Sequence, residues 1–297
     1  MEKLNSLTSV QRAYLGFQTP FGKSDVVMVP VPYDSTTTYG AGTRSGPSAI
    51  IDCSSQLELF DIGLGCNICD KVSVHTLDEL AINKSAPEKT LKNVEDAVSE
   101  ILKSGKKPVI LGGEHSITAG AVKGLGKKVS VLQIDAHADL RDSYEGTKYS
   151  HASVMRRVRE ISDNVIQVGI RSMSDEEGQF IKENNLNDSI FYAEDIIRNK
   201  KNTVINPEDV ERIVSRLGDD VYITIDIDGF DPSLVPGTGT PEPGGLLWED
   251  VIEIMKAVSK RNIVGFDIVE VAPVPNIRTS EFVAAKLCYK MMGYFWV

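Results

Sequence analysis

Nowhere does an uninterrupted apolar run reach the roughly 20 residues that a membrane-spanning helix needs, which excludes an integral helical membrane protein. The opening residues, MEKLNSLTSVQRAYLGF, lack the apolar core of a secretory signal, so a cytoplasmic location is the default expectation. Cysteine is scarce: Cys53, Cys66, Cys69 and Cys288 are too few and too unevenly spread for a disulfide framework in 297 residues. Cys66 and Cys69 form one C-x-x-C pair, but with no second pair and no following helical pattern they read as incidental loop residues. Basic residues are outnumbered, 32 against 42 acidic, and a net charge of -10 disfavours nucleic acid and anionic lipid while favouring cationic ligands. The short basic groups at Lys106 and Lys107 and at Arg156, Arg157 and Arg159 read as solvated helix faces or strand edges. There is no internal repeat, low-complexity tract or linker, and no G-x-S-x-G elbow or H-E-x-x-H helix.

What is present is an ordinary globular composition, 41% hydrophobic and 25% charged, able to bury a substantial core. Short β-branched runs (VVMVPV at 26–31, KPVIL at 107–111, VSVLQI at 129–134, NVIQVGI at 164–170, then SIFY, DVYITIDI and NIVGFDIV) alternate with segments of helical period. Leu91, Val94, Val98, Ile101 and Leu102 share one helix face, and the terminal FVAAKLCYKMMGYFWV has the same period, with core or subunit packing expected of it. Such alternation predicts an α/β fold, a parallel sheet covered by helices. In that class ligands gather at the carboxyl ends of strands. The polar strings GGEHS, DAHADLRDSYEG, DGFDPSLVPGTGTPEPGG and EVAPVPN each follow a strand, and their convergence on one edge makes residues 1–297 a single domain in this reading.

The chain has four histidines; His75 reads as structural, and His115, His137 and His151 sit in or beside the acidic strand ends. Asp135, His137 and Asp139 occupy alternate positions, which an extended backbone turns to one side and a helix does not. Asp226 and Asp228 repeat the device, and His115 follows two glycines that permit close backbone approach. Four carboxylates and two imidazoles exceed the needs of one ion and suit two divalent ions, with manganese fitting an oxygen-rich, thiolate-free set. Two such ions about 3.5 to 4 Å apart hold a bridging water and make it hydroxide near neutral pH. For a lone Asp at a strand end, helix capping or turn fixing is the simpler account; the repeated pattern argues against it here. An EF-hand is excluded, because its sixth position would be Asp231 instead of Gly and its twelfth Gly237 instead of Glu.

The strings GGEHS, DAHADL, SHAS, TIDIDGFDPSLVPGTGTPEPGG and EVAPVPN, in that order, resemble the ureohydrolase family of arginases and agmatinases, and VPYDSTTTYGAGTRSGPSAI is similar to its amino-terminal loop and first helix. The resemblance covers nearly the whole chain. It implies a three-layer fold of about eight parallel strands flanked by helices, two Mn2+ per subunit, and a homo-oligomer, trimer or hexamer. It further implies that His115, Asp135, Asp139 and Asp226 hold one ion and Asp135, His137, Asp226 and Asp228 the other. Glu270 matches the family's guanidinium-gripping glutamate, and His151 its proton-shuttling histidine. Asp139 passes a proton to the departing amine after attack by the bridging hydroxide, with Thr240 as a further substrate contact or a hydroxyl that only satisfies its own loop.

The loop RDSYEGTKYSH resembles agmatinases more than arginases. Asp142 and Glu145 stand where arginases carry Asn and Ser groups for the amino-acid carboxylate, so they are expected to repel arginine and attract the ammonium of agmatine. The expected reaction is agmatine to putrescine and urea, on a small cationic guanidino substrate. Rivals are a guanidinobutyrase, arginase or formiminoglutamase, for which Arg141 or Arg171 would meet an acidic tail, and a non-catalytic metal-binding regulator. Gly40, Gly42 and Gly46 miss the dinucleotide fingerprint and read as a lid, a site wall or ordinary turns.

Overall fold

The computed structural model describes residues 12–297. The residues before Arg12, on which most of the reading of the amino terminus rests, lie outside the described residues. Eight strands form one sheet with parallel pairing throughout: β1 (Val26–Val31), β4 (Val74–Thr76), β5 (Lys107–Gly112), β6 (Ser130–Ile134), β7 (Val165–Ile170), β8 (Ile190–Tyr192), β9 (Asp220–Asp226) and β10 (Asn262–Val269). A separate antiparallel hairpin pairs β2 (Phe60–Asp61) with β3 (Cys66–Asn67). The helices are α1 (Gly46–Ser54), α2 (Pro87–Lys103), α3 (Ile117–Gly124), α4 (Val154–Ile161), α5 (Asp175–Glu183), α6 (Ala193–Asn199), α7 (Pro207–Ser215), α8 (Trp248–Val258) and α9 (Thr279–Trp296).

The strands read as continuous apolar runs because both faces of the sheet are covered. Along β1, Val26 and Met28 enter one buried cluster while Val27, Val29 and Val31 enter the other. Leu91, Val94, Val98 and Ile101 of α2 belong to the second cluster, and α9 closes the first with Leu287, Met291 and Met292. Trp296 stacks on Phe266 of β10 with ring centroids 5.6 Å apart. Every strand expected from the sequence is present; β4, 3 residues long with a histidine at its centre, and the two hairpin strands of 2 residues each were not anticipated. Its central residue His75 is structural, with Nδ1 2.8 Å from the Thr19 carbonyl oxygen and its ring edge-on to Phe21.

The sheet order, β4-β1-β5-β10-β9-β6-β7-β8, places β5, β10, β9 and β6 side by side. Register aligns their carboxyl ends: Ile268 pairs with Leu111, Val269 with Asp226, and Ile225 with Ile134. The polar strings that follow these strands therefore meet. Gly113, just past β5, is required by contact: a Cβ there would lie 1.9 Å from the Tyr33 carbonyl oxygen.

The basic groups correct the sequence reading. Arg157 is buried, with Nη2 2.9 Å from Asp142 Oδ1, and Arg159 donates to the Val165 carbonyl and Gln167 Oε1. Arg156 lies over the Phe180 ring, 3.4 Å from its centroid, and Lys106 donates to the Ser24 carbonyl. A run of arginines on a short helix looked like a solvated face because the partners that cover it lie on other elements, the loop after β6, strand β7 and α5. The cysteines are free thiols, and Cys66 lies in the hairpin. Among the described residues no helix is long and apolar enough to cross a membrane.

Candidate metal centre

Asp135 follows β6 directly, His137 still bridges in parallel to Ser172, and Asp139 adopts a left-handed φ of 53°. The alternate positions thus converge, with a left-handed step replacing continuous extension at the third. Asp226 ends β9, and Asp228 sits in the 3-10 turn that follows, its N–H donating to Asp226 Oδ1 at 2.9 Å. Glu270, just beyond β10, is a second left-handed position at φ 62°. Strain of this kind costs about 1–3 kcal/mol per residue and persists where the surroundings over-determine it. Here the Glu270 N–H donates to the Gly113 carbonyl and its Oε1 accepts from the His115 N–H at 2.7 Å.

His115 is fully buried. Its Nε2 lies 2.8 Å from Thr224 Oγ1, and the Thr224 hydroxyl donates to Asp267 Oδ1 at 2.6 Å. A hydroxyl has one proton, so Thr224 accepts from the imidazole and Nδ1 is left as the other nitrogen. That atom has no hydrogen-bond partner, yet lies 3.1 Å from Asp135 Oδ2, 3.2 Å from Asp139 Oδ2 and 3.4 Å from Asp226 Oδ2. A lone pair and three carboxylate oxygens converging in a buried space call for a cation between them.

A second group adjoins the first. His137 Nδ1 lies 3.0 Å from Asp228 Oδ2 and 3.7 Å from Asp135 Oδ1, so Asp135 turns one oxygen to each group. Asp226 turns Oδ2 to the first group, and its Oδ1 accepts from the Asp228 N–H. Gln167 donates to Gln133 and Gln133 to Asp135 Oδ2, each at 2.6 Å, which fixes the shared carboxylate from behind. All six residues expected as ligands come together, and the donor set of oxygens and imidazoles fits divalent cations.

The charges behave as a crowded acidic site should. Burial pushes Asp226 well up, reinforced by Asp228 and Asp135, and burial and Asp135 push Asp139 up to about 7. Burial opposes the charge on Asp135 too, but His115 and His137 hold it well below the usual carboxylate range. His137 is pushed down by burial and more strongly up by Asp228 and Asp135, to about 12. Without bound ions, protons supply the positive charge the carboxylates demand.

These groups open into a cavity of about 220 Å³ lined also by His151, Thr240 and Glu270. His151 is pushed down to about 4 by burial, then by His115 and His137, and its ring stands edge-on to Tyr144. Burial pushes the Glu270 carboxyl well up. Thr240 Oγ1 lies 3.5 Å from Asp228 Oδ2. Gly40 makes part of the site wall: a Cβ there would lie 2.5 Å from the Gly239 carbonyl oxygen. Tyr39, 83% exposed, marks the solvent side.

Two residues expected at the substrate tail are not brought to this wall. Asp142 pairs with Arg157 and Lys148, and Glu145 sits exposed in the turn bridged by Tyr144 and Thr147. The residues lining that side are Arg141, Tyr144, Met173 and Glu177. Arg171, considered as a receptor for an acidic tail, spends its guanidinium on the carbonyls of Gly169, Asp228, Gly229, Phe230 and Glu242. Sequence reasoning missed Gln133, which stands two positions before Asp135 on the same strand face, and Glu114, which stands in GGEHS itself.

A parallel sheet whose adjoining strand ends gather imidazoles and carboxylates round one cavity is the frame of a metal-dependent hydrolase. Residues 24–293 match the model of the arginase family, and the chain belongs to that family as an amidinohydrolase. It is 38% identical over 99% of its length to the N(1)-aminopropylagmatine ureohydrolase of Synechocystis sp., covering 97% of that protein. To the agmatinase of Bacillus anthracis it is 34% identical over 96% of its length and 97% of the relative. The solved agmatine ureohydrolase of Thermoplasma volcanium matches with a TM-score of 0.89 at 33% identity, over 99% of this chain and 97% of that one.

Proposed function

We propose that this chain hydrolyses the guanidinium group of agmatine, or of agmatine carrying an aminopropyl extension, releasing urea and the corresponding polyamine. The observation that carries this is the orphaned His115 Nδ1 facing three carboxylates, in a cavity that also presents Glu270 and His151. In this reading His115, Asp135, Asp139 and Asp226 hold one Mn2+ and Asp135, His137, Asp226 and Asp228 the other. When bound, such a pair supplies Lewis acidity and a water acidified to work near neutral pH.

Glu270 orients the guanidinium carbon by pairing with its N–H groups, and Thr240 adds a hydroxyl contact. Water adds to that carbon, the bond to the alkyl nitrogen breaks, and Asp139 carries the displaced proton to the leaving amine. His151, kept neutral by its surroundings, exchanges protons with solvent. The cationic tail is supported by the names of the relatives and by the acidic balance of the chain. One observation favours a second reading, a guanidino acid: Arg141 lines the cavity, 3.9 Å from Glu177 and stacked near Tyr144. The single domain, the homo-oligomer and the cytoplasmic location belong to the same proposal.

The test is product release, as urea or formamide, from agmatine, aminopropylagmatine, arginine, guanidinobutyrate and formiminoglutamate, with Mn2+ and with a chelated control. Metal-dependent urea from either agmatine compound supports the proposal. Urea from guanidinobutyrate alone transfers the tail to Arg141, and no product despite two bound ions favours a regulator.

A further inference from the structure

Glu114 is fully buried beside His115, yet belongs to neither group of metal-facing residues. Three donors converge on its carboxylate: the Thr36 N–H at 2.7 Å on Oε2, and the hydroxyls of Thr36 at 2.6 Å and Ser116 at 2.5 Å on Oε1. Burial without partners would be costly for this acid, and these donors are what make it tolerable. They also fix the direction of the Thr36 hydroxyl.

A threonine hydroxyl has one proton to give and two lone pairs to receive with. The Thr36 proton is committed to Glu114, so towards any other neighbour Thr36 Oγ1 acts as an acceptor. Its other neighbours are both in His151: the backbone N–H at 3.3 Å and the ring Nδ1 at 3.5 Å. Facing an acceptor, Nδ1 is the nitrogen that carries the proton in the neutral ring, and the edge-on Tyr144 ring limits rotation away from it. Nε2 is then left unprotonated for the cavity, which His151 lines.

We infer that Thr36, oriented by Glu114, is a positioning residue that holds His151 in the Nδ1–H tautomer, so that Nε2 is the nitrogen that takes up a proton during turnover. This rests on the proposed role of His151 as a proton carrier. Neither Thr36 nor Glu114 touches the reacting atoms in this scheme; they act through His151.

The experiment reads the tautomer directly. The full chain is labelled with 15N in its four imidazoles, loaded with Zn2+ as a closed-shell ion, and examined by NMR, with His151→Asn assigning the His151 signals. The expected wild-type spectrum has the proton on Nδ1. Thr36→Val should shift population to the Nε2–H form and lower kcat about ten-fold with KM little changed, and Thr36→Ser should restore both. A wild-type Nε2–H ring, meaning Glu114 donates and Thr36 passes the proton on, overturns the inference, as does an unchanged tautomer in Thr36→Val. Should Thr36→Val fail to fold, the wild-type spectrum still decides. Because this readout needs no turnover, an active His151→Asn would sink the shuttle reading separately.

Discussion

His115 is held at one ring nitrogen and open at the other, and that asymmetry organises the residues around it. Its Nε2 hangs on Thr224 and Asp267, which leaves Nδ1 to a cation. The companion group depends on Asp228, whose Oδ1 is fixed by the Ala136 N–H and whose Oδ2 faces His137. Asp228→Asn should therefore lower kcat by about 10²-fold or more while changing KM less, and metal analysis should find one tightly held ion where the parent holds two. In the ion-free protein only protons offset the charge of this cluster, and that sets its pH dependence. His137 binds its proton far more tightly when folded, at about 12 against the ordinary 6.5 of a histidine side chain. The stability this gives is complete below about pH 6.5 and is lost as the pH climbs towards 12; the raised Asp139 and Asp226 act in the same direction. The Tm of chelated protein should thus be lower at pH 9 than at pH 6, and Mn2+ should remove most of that difference. Five of the six candidate ligands were legible because alternate spacing at strand ends is a local signal, and His115 because it follows two glycines at a strand end. Thr36 was not, since its link to Glu114 spans 78 positions and no local pattern announces it.

At the scale of the elements, the loop after β9 carries one candidate ligand, Asp228, together with Thr240, and Arg171 holds it from the end of β7. One guanidinium ties the carbonyls of Asp228, Gly229 and Phe230 to that of Glu242. Lysine offers a single point of charge in place of a planar fork. Arg171→Lys should destabilise the protein by about 1–3 kcal/mol, from carbonyls left without donors, measurable by urea denaturation, and raise KM by loosening the loop. The acidic tail argument fares differently. Asp142 is turned to Arg157 and Glu145 lies in an exposed turn, so the double variant Asp142→Asn, Glu145→Gln should leave the agmatine-to-arginine rate ratio within about two-fold, the range expected of surface changes. A larger change would return these residues to the site. Sequence reading placed the loop correctly at the strand end but could not tell which of its side chains turn inward, because that depends on a basic helix whose burial was itself hidden. Strand β4 escaped for a simpler reason: Val74–Thr76 is short and His75 interrupts its apolar run, whereas the equally short β8 reads Ile-Phe-Tyr.

For the molecule as a whole, the α/β alternation and the four polar strand ends were readable from chain order, whereas the order of strands within the sheet was not. That order matters more than strand number, because β10 lies between β5 and β9. Among the described residues β5 pairs only with β1 and β10, so His115 reaches Asp135, Asp139 and Asp226 through β10. A chain ending at Arg261 should accordingly lose the ion expected at His115 and yield no urea, by equilibrium dialysis and assay, although every candidate ligand would still be present.

The placement of β10 also imposes a timetable. During synthesis His115 leaves the ribosome early, and Asp226 and Asp228 follow well before Asn262, yet the two halves of the cluster have no common strand to join them until the final stretch of the message is translated. Until then the groups that follow β6 and β9, which pair directly, can meet one another but not His115. The histidine that faces three carboxylates is thereby the last donor to join its cluster.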